Sequence, residues 1–344
     1  MKPGFHARRL VKLLTEKGRS LSPLTILTHD HPDPDALASA WALAYLAQHL
    51  GKIRCRIAYG GAIGRAENRV MAERLLLPAR PLRKGELAGV PHLALVDTQP
   101  PFKNNRCPPR RIPDLIVDHH PRHADTQADL ALIDEEVGAT TTIMVEALAL
   151  AGLRVPRRLA TGIVYGIGSE TQNLGREATP RDMDAYQAFW PKAHMKTLWR
   201  ISYPQRSQAF FETLSRAVRD AFVVGRVVGV HLGEVNTPDR VAQMADFLLT
   251  LEKMQWSIVT ARFQGRLHVS LRSNDAGAGA GRLLKRLLGG GNRGGGHAMI
   301  AGGSLEIGET AEDARWREAE DKIAADFLTS LGLDPLERRW PFRG

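Results

Sequence analysis

The chain has 344 residues, of which 43% are hydrophobic, 24% charged and 6% aromatic, with a formal net charge of +10 from 47 Lys and Arg against 37 Asp and Glu. This composition excludes a disordered or fibrous chain and suits two globular domains of ordinary size. The low aromatic content argues against an aromatic-stacking surface as the main binding device, and the basic excess suits a polyanionic partner or a phosphorylated substrate as well as simple solubility.

Cys55 and Cys107 offer neither a zinc spacing nor a disulfide framework, so a reducing cytoplasm is the expected location. The N-terminal MKPGFHARRLVKLL is basic and amphipathic and lacks the long apolar core of a secretory signal. The longest mostly apolar run, Ala36 to Ala47, spans 12 residues and is too short to cross a bilayer. A soluble protein with no membrane partner is therefore expected, and a homodimer is compatible with it.

In chain order, LTILTH (24–29) reads as a buried strand and 35–50 as a helix. IRCRIAY (53–59) is a second strand, 66–77 a second helix, and HLALVD (92–97) and DLIVDHH (114–120) two further strands. Helical patterns follow near 138–151, 156–168 and 180–190. Such alternation predicts a mostly parallel sheet flanked by helices. The stretch 186–220, with Pro191 and Pro204, reads as a connection. Beyond it come a strand at 226–232, a helix at 238–251, and strands 256–263 and 266–273 around a Gln264-Gly265 hairpin turn. A helix at 279–288, a glycine tract, a strand near 298–306 and a helix at 311–331 complete a smaller α/β domain. The expected division is a first domain over 1–195, a linker over 196–215 and a second domain over 216–344.

Three of the apolar runs end in titratable residues: His29, Asp33 and Asp35 after the first, Asp97 after the third, and Asp118, His119 and His120 after the fourth. In a parallel sheet these endings share one edge, where ligands bind. Each segment alone also fits a cap or a turn. Together, so many carboxylates on one edge need raised pKa values or cations. Mixed imidazole and carboxylate donors suit manganese, zinc or iron, and two ions roughly 3.5–4 Å apart can activate water and stabilise a phosphoryl displacement.

HDHPDPDALASA (29–40), LVDT (95–98), the triplet Asp118-His119-His120 and GNRGGGHAMIAGG (291–303) resemble the DHH phosphoesterase superfamily with its DHH-associated C-terminal domain, in the branch of RecJ-like exonucleases and nanoRNases. The resemblance implies two domains with the active site in the cleft between them, the second closing over the first to grip nucleic acid or nucleotide. It implies two divalent ions, Mn2+ by preference. His29 and Asp33 would bind the first, Asp35 and His119 the second, and Asp97 would bridge. Asp118 would orient its neighbours, and His120 would face the substrate phosphate. A last ligand is expected in YGIGSETQNLGREAT (165–179), where Glu170 stands in place of the usual aspartate.

In the glycine tract, Gly294, Gly295 and Gly296 can bring backbone N–H groups close to a ligand, with Arg272, Ser273, Asn274 and His297 to hold a phosphate or base. The activity implied is hydrolysis of short oligonucleotides or small nucleotides by a two-metal-activated water. The alternatives are a cyclic dinucleotide phosphodiesterase, a 3′-phosphoadenosine 5′-phosphate phosphatase, or a nucleotide or RNA sensor whose metal site Glu170 has weakened.

Overall fold

The computed structural model describes residues 3–290, 293–296 and 298–343. The chain forms two compact units, 1–205 and 206–344.

The first unit contains α1 (Phe5–Lys17), β1 (Leu24–Thr28), α2 (Pro34–Gly51), β2 (Cys55–Tyr59), α3 (Ala66–Leu75), β3 (Ala79–Pro81), β4 (His92–Val96), β5 (Leu115–Asp118), β6 (Leu130–Ile133), α4 (Thr140–Leu150), α5 (Arg157–Glu170), α6 (Pro180–Phe189) and α7 (Met195–Ser202). All six strands are parallel, in the order β3-β2-β1-β4-β5-β6. The order reverses between β1 and β4, the switch point at which such sheets open a crevice.

The strands form where the sequence is continuously apolar. Every residue of β1 is buried, as a parallel strand covered on both faces requires. One face supports the main core, in which Leu24, Ile26, Val96 and Val117 meet Leu10 and Leu14 of α1, Leu43 and Leu46 of α2 and Ile143 of α4. The other face carries a smaller cluster of Leu27, Leu95 and Ile116 beneath Leu82, Leu87 and Cys107.

α2 starts abruptly because Asp33 caps it, its Oδ1 accepting from the Ala36 N–H at 2.9 Å, and Pro34 occupies the first turn. It is buried on most sides and rich in alanine, which lets α5 cross it closely. Gly166 marks the crossing: a Cβ there would lie 3.0 Å from the Ala38 Cβ and 3.1 Å from the Pro34 carbonyl oxygen.

The second unit contains α8 (Gln208–Arg219), β7 (Phe222–Val224), β8 (Val227–Glu234), α9 (Asp239–Leu248), β9 (Trp256–Phe263), β10 (Arg266–Ser273), α10 (Ala280–Leu287), β11 (Gly294–Gly296), β12 (Ile300–Glu306) and α11 (Asp313–Ser330). Its mixed sheet runs β11-β12-β10-β9-β8-β7, with only β8 and β9 parallel. Gln264 and Gly265, at φ 47° and 70°, form the two-residue hairpin turn between β9 and β10. The connecting region carries two amphipathic helices: Ile201 of α7 is buried with the first unit, and Ala217 of α8 with the second. The strands β3, β6, β7 and β11 have no counterpart among the sequence expectations.

Candidate metal centre

β1, β4 and β5 are neighbours and parallel, so their C-terminal ends lie side by side. The residues that follow them meet there.

His29 places Nδ1 2.9 Å from the Asp30 carbonyl oxygen. That contact makes Nδ1–H the donor and leaves Nε2 facing the site. Nε2 lies 3.6 Å from Asp33 Oδ2 and 3.7 Å from Asp97 Oδ2. Asp33 thus divides its carboxylate: Oδ1 caps α2 and Oδ2 faces His29.

Asp97 follows β4 in a left-handed conformation (φ 60°) that aims its side chain back across the sheet edge. It is 2% exposed, and its Oδ1 accepts from the Thr140 hydroxyl at 2.7 Å. His119 brings Nε2 to 3.7 Å from the same oxygen, while its Nδ1 lies 3.3 Å from the Val137 carbonyl. His119 Nε2 is buried with no hydrogen-bond partner among the described residues.

Asp118 is fully buried and holds its own triplet in shape. Its Oδ1 accepts from the His119 N–H at 2.9 Å and from His120 Nδ1 at 2.8 Å. Its Oδ2 accepts from the Gln99 amide at 2.7 Å. His120 is therefore oriented by Asp118, with 24% of its side chain exposed.

Two overlapping donor sets result: His29, Asp33 and Asp97, and Asp97, His119 and His120, each with ligand atoms within 4.8 Å of one another. Asp97 belongs to both, and either set could hold a metal ion. His120 stands in the second set where the sequence suggested Asp35. Asp35 is fully buried, and both its oxygens accept from α4, at 2.8 Å from the Thr140 N–H and 2.8 Å from the Thr141 N–H. It caps that helix from outside while interacting electrostatically with His119 and Asp33. Glu170, the last residue of α5, lies within electrostatic reach of Asp33, Asp35 and His119.

The electrostatics record the crowding. Burial, then Asp35 and Asp33, push the Asp97 carboxyl well above its usual range. Burial, then Asp33 and Asp35, push Glu170 up to about 8. Burial disfavours the charged imidazole of His29, but Asp33 and Asp97 outweigh it and raise His29 to about 9. For His120 likewise, Asp118 and Asp97 override burial and raise it to about 10. Protons here compensate a surplus of negative charge. Divalent cations would do the same, and an orphaned imidazole nitrogen among carboxylates fits a metal ligand.

The second unit gathers a different set. Ser273 is buried and its hydroxyl accepts from the Asp275 N–H, while Asn274 is exposed and its amide donates to the Met254 carbonyl. Arg272 is only 5% exposed, its guanidinium bonded to Asp246, to the Ser270 hydroxyl and to backbone carbonyls of Leu271 and Ala301. The charge expected at a ligand surface is turned inward to brace the sheet. Gly294, Gly295 and Gly296 form the edge strand β11, paired with β12 and packed on α10. A Cβ on Gly281 would lie 2.3 Å from the Gly296 carbonyl oxygen, so backbone meets backbone there. His297 lies outside the described residues.

Three supporting residues escaped the sequence analysis. Thr140 and Thr141 serve Asp97 and Asp35; the run TTT opening a helix after Gly138 was the available signal. Gln99 is fully buried, and its amide joins Asp118 to the loop 120–126. No motif marks it.

A family model for the DHH family N-terminal domain matches residues 23–167, and one for the DHHA1 domain matches residues 220–325. The chain is 32% identical over 338 residues to an uncharacterized protein of Methanocaldococcus jannaschii, covering 96% of this chain and 69% of that one. It is 26% identical over 162 residues to a probable manganese-dependent inorganic pyrophosphatase of Streptococcus mutans, covering 46% of this chain and 51% of that one, so it spans about half that relative's length. An exopolyphosphatase-related protein from Bacteroides fragilis has the same fold at 14% identity, with a TM-score of 0.74 over 94% of this chain and 97% of that one. Two domain matches in the expected order, carried on the parallel and mixed sheets described above, show that the chain belongs to the DHH family of phosphoesterases.

Proposed function

We propose that the protein is a metal-dependent phosphodiesterase acting on short oligonucleotides or small nucleotides. The observation that carries the reading is His119 Nε2: buried, without a hydrogen-bond partner among the described residues, and 3.7 Å from an Asp97 oxygen that both donor sets share. A buried imidazole nitrogen left unpaired beside carboxylates is costly unless it binds something positive.

In this reading His29, Asp33 and Asp97 hold one divalent ion, and Asp97, His119, Asp35 and Glu170 a second. Manganese suits these donors, and one relative's name carries the same metal. When bound, two such ions supply Lewis acidity toward water and the phosphoryl oxygens. The remaining work falls to the chain's own side chains. Asp118 takes the Nδ1–H of His120 and so fixes which face of the ring meets the substrate. With Nδ1–H tied to Asp118, His120 has Nε2 left to meet a phosphoryl oxygen. The left-handed backbone at Asp97 and the N–H pair on Asp35 keep the carboxylates aimed without help from solvent. In the second unit, Ser273, Asn274, Gly294, Gly295, Gly296 and His297 are proposed as substrate contacts, with Arg272 bracing them.

The test is a panel of diribonucleotides, cyclic dinucleotides, 3′-phosphoadenosine 5′-phosphate and polyphosphate, assayed with manganese. Metal-dependent cleavage of at least one nucleotide substrate is expected, abolished in Asp97→Ala and His119→Ala. Cleavage undiminished in both variants, or confined to polyphosphate, overturns the reading. Nucleotide binding without turnover would favour a sensor.

A further inference from the structure

The helices α3, α5, α6 and α7 line an open cavity of about 470 Å³. That volume is ordinary for a small-ligand pocket. Its walls are unusual for this chain. Aromatic residues make up only 6% of the sequence, yet Tyr165, Tyr186, Trp190 and Trp199 all line this one cavity. Trp190 and Trp199, two of the six tryptophans, remain 43% and 62% exposed. Large rings left in water beside a cavity forgo burial that packing would have given them.

Two backbone features keep the cavity open and edge it with amides. Gly168 sits inside α5 and lines it. Glycine within a helix is destabilising relative to alanine, so an interior glycine calls for a reason. At Gly166 the reason is the α2 crossing. At Gly168 it is not: an added Cβ would meet only Asn173 Oδ1 and a Tyr186 ring carbon, both at 3.4 Å, which is ordinary contact. What glycine preserves there is depth in the cavity.

Just beyond α5, Gln172, Asn173 and Leu174 are consecutive left-handed residues at φ 46°, 56° and 66°. None is glycine, so each is strained. The turn is held by the Asn173 N–H on the Gly168 carbonyl (2.7 Å) and the Leu174 N–H on the Thr171 hydroxyl (3.1 Å). It places Gln172 and Asn173, both carrying carboxamides, in the cavity wall. Carboxamides present donor and acceptor side by side, the pattern that matches the edge of a nucleobase.

The cavity also shares α5 with the candidate metal centre. Ser169 lines it, and the next residue is Glu170, which feels Asp33 and Asp35. We infer that this cavity is a nucleobase subsite: one base of the substrate stacks against the Trp199 and Tyr186 side, and Gln172 and Asn173 hydrogen-bond its edge. This deepens the phosphodiesterase reading, on which the functional meaning of the site rests, by naming what flanks the phosphate.

Binding can be tested apart from catalysis. The full-length protein, stripped of metal with EDTA, is titrated with adenosine 5′-monophosphate and with ribose 5-phosphate. Tryptophan fluorescence and calorimetry serve as readouts. The nucleotide is expected to bind and quench, and the sugar phosphate to do neither. Trp199→Ala and Gly168→Leu should each weaken nucleotide binding, by about 5- to 150-fold for the loss of a stacking partner. Trp199 is largely exposed, so its truncation does not threaten the fold, and a thermal melt of each variant checks this.

Equal binding of the two ligands, or parental affinity in both variants, overturns the inference. The two readings fail separately. A protein that binds the nucleotide through Trp199 but cleaves no nucleotide keeps the subsite and loses the proposed activity. One that cleaves diribonucleotides with KM unchanged in both variants keeps the activity and loses the subsite.

Discussion

Gln99→Leu should destabilise the first unit by about 3 kcal/mol and disorder the Asp118-His119-His120 triplet. Gln99 is fully buried, and its carboxamide is used at both ends. The amide nitrogen donates to Asp118 Oδ2 at 2.7 Å and approaches the carbonyls of His120 and Pro121 at 3.3 Å. The amide oxygen accepts from the Thr126 hydroxyl at 2.7 Å and the His123 N–H at 2.9 Å. Leucine fills similar space and satisfies none of these groups. Asp118, a buried charged acceptor, loses a bond worth about 1.5–3 kcal/mol, and the Thr126 hydroxyl one worth about 1 kcal/mol. The 3.3 Å contacts are long and count for little. The sum of about 3 kcal/mol corresponds to a melting temperature lower by roughly 6–12 °C for a unit of this size. Thermal melts of the metal-free protein measure this directly. Thr126→Val is the internal control, because it removes only the hydroxyl part and should cost about 1 kcal/mol. If Gln99→Leu costs no more than Thr126→Val, Asp118 does not depend on Gln99 and the reasoning is wrong.

Further outcomes are expected elsewhere. Gly166→Val should cost about 1–3 kcal/mol by overpacking the α2–α5 crossing, whereas Gly168→Ala, two residues on, should be neutral or stabilising by up to about 1 kcal/mol; equal losses in melting experiments would contradict the packing described. Glu320 is 3% exposed and takes both ends of the Arg262 guanidinium at 2.8 Å. Glu320→Ala should therefore cost the second unit about 1.5–3 kcal/mol, because Arg262 loses its bonds to Glu320 but keeps its ion pair with Asp313, with Glu320→Gln milder, as read by urea unfolding. Manganese at a hundredfold excess over its dissociation constant should stabilise the parent by about 2.7 kcal/mol. Asp97→Asn should lose that shift while its metal-free form melts no lower, because asparagine tolerates the left-handed backbone and carries no charge. A shift preserved in the variant would show that the ion sits elsewhere.

Much of the first unit was legible because parallel strands announce themselves as unbroken apolar runs, as LTILT and HLALV do. The shorter β6 (LALI) and the three-residue β3 and β7 carry too little pattern to separate from loops. The clustering of His29, Asp33, Asp97 and His119 followed from one topological idea, that parallel strands share a C-terminal edge. The partners of those residues did not follow from it. That Asp35 receives two N–H groups from a helix more than a hundred positions later depends on tertiary docking, which no local spacing encodes. The glycine tract illustrates the converse. Its composition suggested a ligand-cradling loop, but Gly294–Gly296 pairs in register with Ala301–Gly303 as a strand, so part of its glycine content serves close backbone packing. The low aromatic content misled in another way, since an average over the chain hides four rings gathered at one cavity.

The pairing of Asp35 with the start of α4 has a consequence for how the centre comes into being. β1 cannot complete its sheet until β4 arrives beside it, and Asp35 then waits for Thr140 and Thr141 to supply their N–H groups. Until α4 docks, Asp33 has its cap on α2 but Asp35 lacks both of the N–H groups that steady it beside Asp33. A nascent chain that has formed only its first strands would offer ions a loose acidic loop of little selectivity. The arrangement of these donors is thus a late product of biogenesis, and an ion held by them would load only after the first unit is complete, reporting that its helices have closed.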